Sequence, residues 1–116
     1  MTLPRERSYY RIVELVLGGL AARHDVTLEH LEDMELALEG LLDRLDGTGP
    51  AIVRMRVDDN TLHAAVGPYG KPPPVEQAES DGRSLDLHRL LDTVVDRYEI
   101  VDVDGAHWVE LAKAVR

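Results

Sequence analysis

The chain contains no cysteine, no phenylalanine and only one tryptophan among its 116 residues. Without cysteine it can form no disulfide, no thiolate metal site and no cysteine nucleophile. Basic side chains are also scarce, with 13 lysines and arginines against 22 aspartates and glutamates. Because phosphate binding needs a concentrated basic face, a net charge of −9 argues against nucleic acid as a partner. An acidic surface favours solubility or a basic protein partner instead.

Long apolar segments are missing as well. The sequence shows neither an apolar N-terminal segment of the signal-peptide kind nor a run of about 18 apolar residues that could cross a membrane. We therefore expect a cytoplasmic protein without membrane contact. Apolar residues still make up 44% of the composition, which is enough for one core in a single domain over residues 1–116.

Apolar residues recur every three or four positions in three segments, which indicates three amphipathic helices. They are predicted over residues 5–23, 28–45 and 84–97, with Ser84 as the N-cap of the third. The buried stripe predicted for the first helix consists of Tyr9, Ile12, Val13, Val16, Leu17 and Leu20. Gly18 and Gly19 interrupt this helix, and each costs about 1 kcal/mol relative to alanine. Either another element approaches the backbone closely there, or the helix is simply weak near its end.

Alternation of apolar and polar residues predicts four strands in two hairpins. The strands are expected over residues 51–57, 62–66, 98–103 and 106–115, with turns at residues 58–60 and at Asp104-Gly105. Residues 67–83 lack periodicity, which is typical of lids, binding loops or disordered segments. The order helix-helix-strand-strand-loop-helix-strand-strand predicts an α+β fold. This would be an α/β sandwich with a mostly antiparallel sheet and about three helices on one face.

No catalytic or metal-binding motif is intact in the sequence. The five histidines do not have the spacing of metal ligands, and scattered surface or sheet positions are the favoured interpretation. They are His24, His30, His63, His88 and His107. Eight acidic residues and one arginine lie between Asp25 and Asp46, mostly on the second helix. This run is interpreted as a solvated helix face, with a docking face for a basic partner as the alternative.

Three stretches nevertheless resemble bacterial anti-sigma factors of the serine-kinase type, which belong to the histidine-kinase-like ATPase superfamily. They are Arg11-Ile-Val-Glu-Leu-Val-Leu-Gly-Gly-Leu-Ala-Ala-Arg23, Leu31-Glu-Asp-Met-Glu-Leu-Ala-Leu38 and Leu90-Leu91-Asp92-Thr93-Val94-Val95-Asp96. The resemblance implies a histidine-kinase-like ATPase fold, in which ATP lies under a flexible lid between helices and sheet. Residues 67–83 stand where that lid would be.

The nucleotide-binding motifs of this family are degenerate in the chain. The family has an acidic general base and, four residues later, an asparagine magnesium ligand on the second helix, at positions that match Gly40 and Arg44. An aspartate that accepts the adenine amino group is replaced by Pro68, although the glycine two residues later, Gly70, is kept. Proline offers no side-chain acceptor, so recognition of adenine should be lost.

A third motif of the family lies at the start of the helix after the lid. Its two glycines leave the helix N-terminus bare for phosphate, but Ser84 and Asp86 replace them here. Asp86 places a negative charge where phosphate would approach. Since three separate motifs fail, we expect no catalytic residue, no metal site and no cofactor.

The resemblance therefore implies a non-catalytic regulatory protein that acts by binding another protein. Members of the family control sigma factors by partner switching, so a sigma factor or an anti-sigma antagonist is the expected partner, and a homodimer is compatible with the resemblance. The alternative is an active ATP-dependent serine/threonine kinase in which Glu39 acts as base and Asp43 holds magnesium. That alternative needs a register slip or a kink in the second helix. A third hypothesis places a small anion in the vacated cleft, held by Tyr69, Arg44 and Arg83.

Overall fold

The computed structural model describes residues 1–45, 49–70 and 82–115, apart from the side chains of Arg7 and residues 82–86. In these ranges three α-helices lie on a five-stranded antiparallel sheet, so the predicted α+β class is confirmed. The elements are β1 (Thr2–Leu3), a 3-10 turn (Arg7–Tyr9), α1 (Tyr10–Arg23), α2 (Leu28–Leu42), β2 (Ala51–Asp58), β3 (Thr61–Tyr69), α3 (Gly82–Val94), β4 (Arg97–Val103) and β5 (Ala106–Ala114). No helix of the described part has the length and apolar composition needed to cross a membrane.

The sheet has the strand order β1-β2-β3-β5-β4, and all neighbours are antiparallel. Both hairpins turn where the sequence predicts. Asp59 and Asn60 have φ angles of 52° and 57°, and Asp104 and Gly105 have φ angles of 52° and 81°. Two successive left-handed residues are typical of type I′ turns, whose twist matches that of the flanking strands. Pairing of β3 with β5 then joins the two hairpins into one sheet.

The core lies between the helices and one face of the sheet. Every second side chain of the central strands points into it, as expected from strand geometry. The sheet contributes Val53, Leu62, Ala64, Val66, Val109 and Leu111, and the helices contribute Val13, Leu17, Met34, Leu38, Leu41, Leu87 and Leu91. On α2 the leucine and methionine side chains at helical spacing form the buried stripe, with Met34, Leu38 and Leu41 each at most 1% exposed.

A buried ion pair connects α2 with both the sheet and α3. Lys113 of β5 is only 8% exposed. Its Nζ donates a hydrogen bond to the Val94 carbonyl oxygen at 2.7 Å and lies 3.3 Å from Oδ2 of Asp33. Because a buried ammonium group is costly without partners, these contacts satisfy the lysine and fix the end of α3 beside α2.

Several predicted boundaries are wrong. α1 begins at Tyr10, after the 3-10 turn, and α2 ends at Leu42. β3 continues to Tyr69, whereas α3 spans Gly82–Val94, so the segment predicted over residues 67–83 is too long at both ends. Ser84 lies inside α3 rather than at its N-cap. The predicted β3 is too short because a register shift between Val66 and Tyr69 interrupts the alternation of apolar and polar residues. Residues 71–81 lie outside the described part.

The outer face of α1 is apolar and exposed, which the predicted stripe did not anticipate. Tyr9, Ile12 and Val16 were expected to be buried but are 40%, 41% and 46% exposed, and Leu15 is 70% exposed. The helix residues that reach the core are Val13, Leu17 and Ala21. Because α1 is apolar on nearly all sides, its pattern does not determine which side meets the sheet.

The two glycines of α1 have open space around them. A Cβ atom at Gly18 or Gly19 would meet no described atom within 4 Å. We therefore expect Gly19→Ala to raise the free energy of unfolding by about 1 kcal/mol, since alanine is the better helix former. Urea denaturation measures this change. Gly40→Ala is the control, because its Cβ would lie 3.0 Å from Cδ2 of Leu90 and its gain should be smaller. A loss of stability in Gly19→Ala would contradict the open environment.

Candidate functional site

Four of the six positions that the predicted resemblance assigns to nucleotide motifs lie in neighbouring segments of the fold. Gly40 lies in the last turn of α2 and Arg44 just beyond it, while Pro68 and Gly70 lie at the end of β3. The hydroxyl of Tyr69 donates a hydrogen bond to the Leu41 carbonyl oxygen at 2.7 Å and so joins the two groups. The structure thus brings four of the six predicted positions together.

The remaining two positions, Ser84 and Asp86, lie in the first half of α3. Their side chains are outside the described part, so the third predicted motif is placed by its backbone only. It belongs to the same helix whose later residues contact α2.

Gly40 lies where α2 packs directly against α3. A Cβ atom at this position would come within 3.0 Å of Cδ2 of Leu90 and 3.4 Å of Cδ1 of Leu87. Both leucines belong to α3, and Leu87 is 1% exposed. The position that the predicted resemblance assigns to a general base is therefore closed by apolar side chains, and a longer residue there would have to move them.

Arg44 is engaged by the end of its own helix. Its Nη1 donates a hydrogen bond to the Gly40 carbonyl oxygen at 2.9 Å, and a cation at this end interacts favourably with the helix dipole. Its Nε is buried and has no hydrogen-bond partner among the described residues. The side chain of Arg44 thus bonds the last turn of α2, at the position that the predicted resemblance assigns to a magnesium ligand.

The end of β3 is filled by aromatic side chains. Tyr69 is only 1% exposed, so the hypothesis that it lines an open cleft for a small anion is wrong. The Tyr69 hydroxyl and the Arg44 guanidinium both donate hydrogen bonds to backbone carbonyl oxygens of α2. The side chain of Arg83 lies outside the described part.

On the outer face of the sheet the ring of Trp108 covers Gly67, which precedes Pro68 in a cis peptide bond. The guanidinium carbon of Arg54 lies 4.9 Å from the centroid of that ring.

The two ligands of the kinase alternative lie elsewhere on the helix. α2 is a continuous α-helix from Leu28 to Leu42, and Asp43 is its C-cap residue. Glu39 lines a groove between α1 and α2, whereas Gly40 contacts α3. Adjacent helical residues differ by about 100° in direction. Glu39 and Gly40 therefore face different neighbours of α2.

Two of the five histidines, His88 and His107, form local pairs. Nδ1 of His88 lies 2.5 Å from the Tyr98 hydroxyl and its Nε2 lies 3.4 Å from Asp92. Nδ1 of His107 lies 2.5 Å from Oδ1 of Asp102. Within residues 1–45, 49–70 and 82–115, no three His, Asp or Glu side chains are grouped to hold a metal ion.

The groove between α1 and α2 is the feature that sequence reasoning missed. It has a volume of about 430 Å³ and lies between the start of α1 and the second half of α2. Buried apolar side chains and three carboxylates line it. They are Val13, Leu38 and Leu42, and Glu14, Glu35 and Glu39. Partial burial, followed by the charges of Glu14, Glu32 and Glu39, raises the pKa of the Glu35 carboxyl. The acidic run on α2 was a signal, but the contribution of α1 was not visible.

Glu35→Gln is expected to raise the free energy of unfolding at pH 7 by about 0.5 kcal/mol, since each like-charge pair one helical turn apart costs about 0.2–0.5 kcal/mol. A raised folded-state pKa means that folding favours the protonated carboxyl. The stability that Glu35 contributes is complete below its unfolded-state pKa and is lost as pH rises through the raised folded-state pKa. The advantage of glutamine should therefore be small in acid and grow towards neutral pH.

Urea denaturation across this pH range measures the effect of Glu35→Gln. Glu29→Gln is a matched control, because Glu29 lies in the first turn of α2, where a negative charge is favourable. The control should gain nothing at neutral pH. An equal gain at both positions would contradict the crowding of carboxylates in the groove.

A three-helix α+β domain with this junction can be compared directly with the serine-kinase anti-sigma factors that its sequence resembles. The chain is similar to the serine-protein kinase RsbW of Bacillus mycoides (strain KBAB4), with 26% identity over an alignment of 127 positions, gaps included, that covers 90% of this chain and 78% of the relative. Proteins of the same name from Bacillus cereus (strain AH187) and Bacillus anthracis are 27% identical with the same coverage. The predicted resemblance is thereby confirmed. No protein-family model matches the chain.

Proposed function

We propose that this protein is a non-catalytic regulator that acts by binding another protein, in the manner of the anti-sigma factors it resembles. Its partner is a sigma factor or an anti-sigma antagonist, and its mode of action is partner switching. The observation that carries the non-catalytic part is the apolar contact at Gly40. Leu87 and Leu90 of α3 occupy the space that a general base at this position would need.

Two further positions support the loss of ATP binding. Pro68 has no side-chain acceptor for the adenine amino group. Arg44 replaces the magnesium ligand by a cation and bonds the end of its own helix. A positive side chain cannot coordinate a metal ion, so the two positions fail for independent chemical reasons.

The kinase alternative, with Glu39 as base and Asp43 on magnesium, is less well supported. It requires a slip or kink in α2, and the described helix is continuous. Glu39 also lines the groove on the side of α1 rather than the junction with α3.

Titration with a fluorescent ATP analogue and magnesium tests the non-catalytic part. We expect no saturable binding into the millimolar range and no transfer of labelled γ-phosphate to a co-incubated anti-sigma antagonist. A serine-protein kinase RsbW relative serves as the positive control. Micromolar binding or phosphorylation of the antagonist would refute the non-catalytic proposal. The regulatory part is tested by co-purification with the sigma factors and antagonists of the host, and binding to none of them would refute it.

A homodimer formed through the outer face of α1 is part of the proposal. Ile12, Leu15 and Val16 form a contiguous exposed apolar surface, and such surfaces mark interaction sites. Sedimentation should show a dimer for the wild type and a monomer for Leu15→Glu. A monomeric wild-type protein at micromolar concentration would contradict this part.

A further inference from the structure

We propose that the groove between α1 and α2 is a docking site for a segment of a protein partner that carries an apolar side chain flanked by arginine or lysine. This inference rests on the proposed function, because it names the chemistry of the partner that a protein-binding regulator would take. It concerns a different surface from the degenerate nucleotide positions and from the outer face of α1.

The shape of the groove suits a side chain rather than a flat contact. Its volume of about 430 Å³ lies within the range of about 300–1,000 Å³ typical of binding pockets. Val13, Leu38 and Leu42 form its floor, and each is at most 3% exposed as a residue. An apolar side chain of the partner placed on this floor would contact the buried side chains of both helices and would be removed from water.

The rim of the groove defines the charge of the occupant. Glu14 of α1 faces Glu35 and Glu39 of α2 across the opening. Neither Glu14 nor Glu35 forms an ion pair with any described residue. On a solvated helix face carboxylates usually spread apart, whereas here two helices bring them together around an apolar floor. Arginine or lysine of a partner would remove this repulsion, and complementary charge gives both specificity and fast association.

Arg11 is the basic residue that lines the same groove. Its guanidinium lies on the exposed start of α1 and weakens the negative potential of the rim. Its removal should therefore strengthen binding of a basic segment. Arg23 lies at the other end of α1, outside the groove, and provides a control with the same change of charge.

The probe is a fluorescein-labelled amphipathic peptide with leucine and arginine at helical spacing, and its affinity is measured by fluorescence anisotropy at low salt. We expect the double variant Glu14→Gln/Glu35→Gln to bind it roughly three- to tenfold more weakly, as for two exposed ion pairs. The double variant Glu29→Gln/Glu99→Gln, which changes net charge equally outside the groove, should stay within about twofold. Peptides with glutamine for arginine, or alanine for leucine, should also lose affinity.

Arg11→Gln should bind the peptide about two- to threefold more tightly than wild type, and Arg23→Gln should change little. Equal effects at groove and control positions would show attraction by net charge alone and would overturn the proposal, as would an alanine-for-leucine peptide that binds equally well. The groove can also fail separately from the proposed function. If a sigma factor or antagonist binds the wild type and the double groove variant equally, the docking site is wrong while the function stands. If neither binds the wild type, the function itself fails.

Discussion

Gly40→Glu is expected to lower the free energy of unfolding by about 3–5 kcal/mol, because it forces a charged side chain between α2 and α3. Leu90 and Leu87 already lie 3.0 Å and 3.4 Å from the position of a Cβ atom. Overpacking of a well-filled site costs about 1–3 kcal/mol, and an unpaired carboxylate in apolar surroundings adds further cost. Urea denaturation at neutral pH measures the loss.

Gly18→Glu is the matched control for Gly40→Glu. It makes the same chemical change in a helix, but no described atom lies within 4 Å of its Cβ position. Because glutamate is a better helix former than glycine, this control should be at least as stable as wild type. If Gly40→Glu proved as stable as wild type, the junction would be open, and Leu87 and Leu90 would not exclude a general base at this position.

Gly67→Ala is expected to lower the free energy of unfolding by about 2–3 kcal/mol, as overpacking against a rigid ring does. An added Cβ atom would lie 2.6 Å from Cδ2 and 2.8 Å from Cε3 of Trp108. Since an indole ring has no flexible end at these atoms, the whole side chain would have to move. The cost should disappear largely in a Trp108→Ala background, which a double-mutant cycle measures. An unchanged cost in that background would mean that the backbone of Gly67, rather than the ring, sets the requirement for glycine.

The parts of the fold that local chemistry determines could be predicted from the sequence. Asp59-Asn60 and Asp104-Gly105 adopt left-handed turns because these residues tolerate positive φ at low cost. The stripe of α2 is unambiguous because its outer face is acidic. The two sides of α1 do not differ in this way, so its predicted stripe is right for Val13 and Leu17 but wrong for Ile12 and Val16.

The candidate site was predictable as a set of positions but not as an arrangement. Matching motifs singled out Gly40, Pro68 and Gly70 but did not predict how their segments contact each other. The arrangement depends on contacts between segments far apart in sequence. Leu87 and Leu90 pack on Gly40, and the Tyr69 hydroxyl points inward and donates a hydrogen bond to the Leu41 carbonyl oxygen. The groove escaped prediction for the same reason, because Glu14 and Glu35 belong to different helices.

The position of Trp108 gives the protein an optical reporter of its own. It is the single tryptophan of the chain and lies on the outer face of the sheet beside Arg54, away from the helices. Its emission should therefore be insensitive to a peptide that occupies the groove between α1 and α2, yet shift to longer wavelength when the sheet unfolds. Intrinsic fluorescence thus shows, without any label on the protein, whether the sheet stays folded while a peptide occupies the groove.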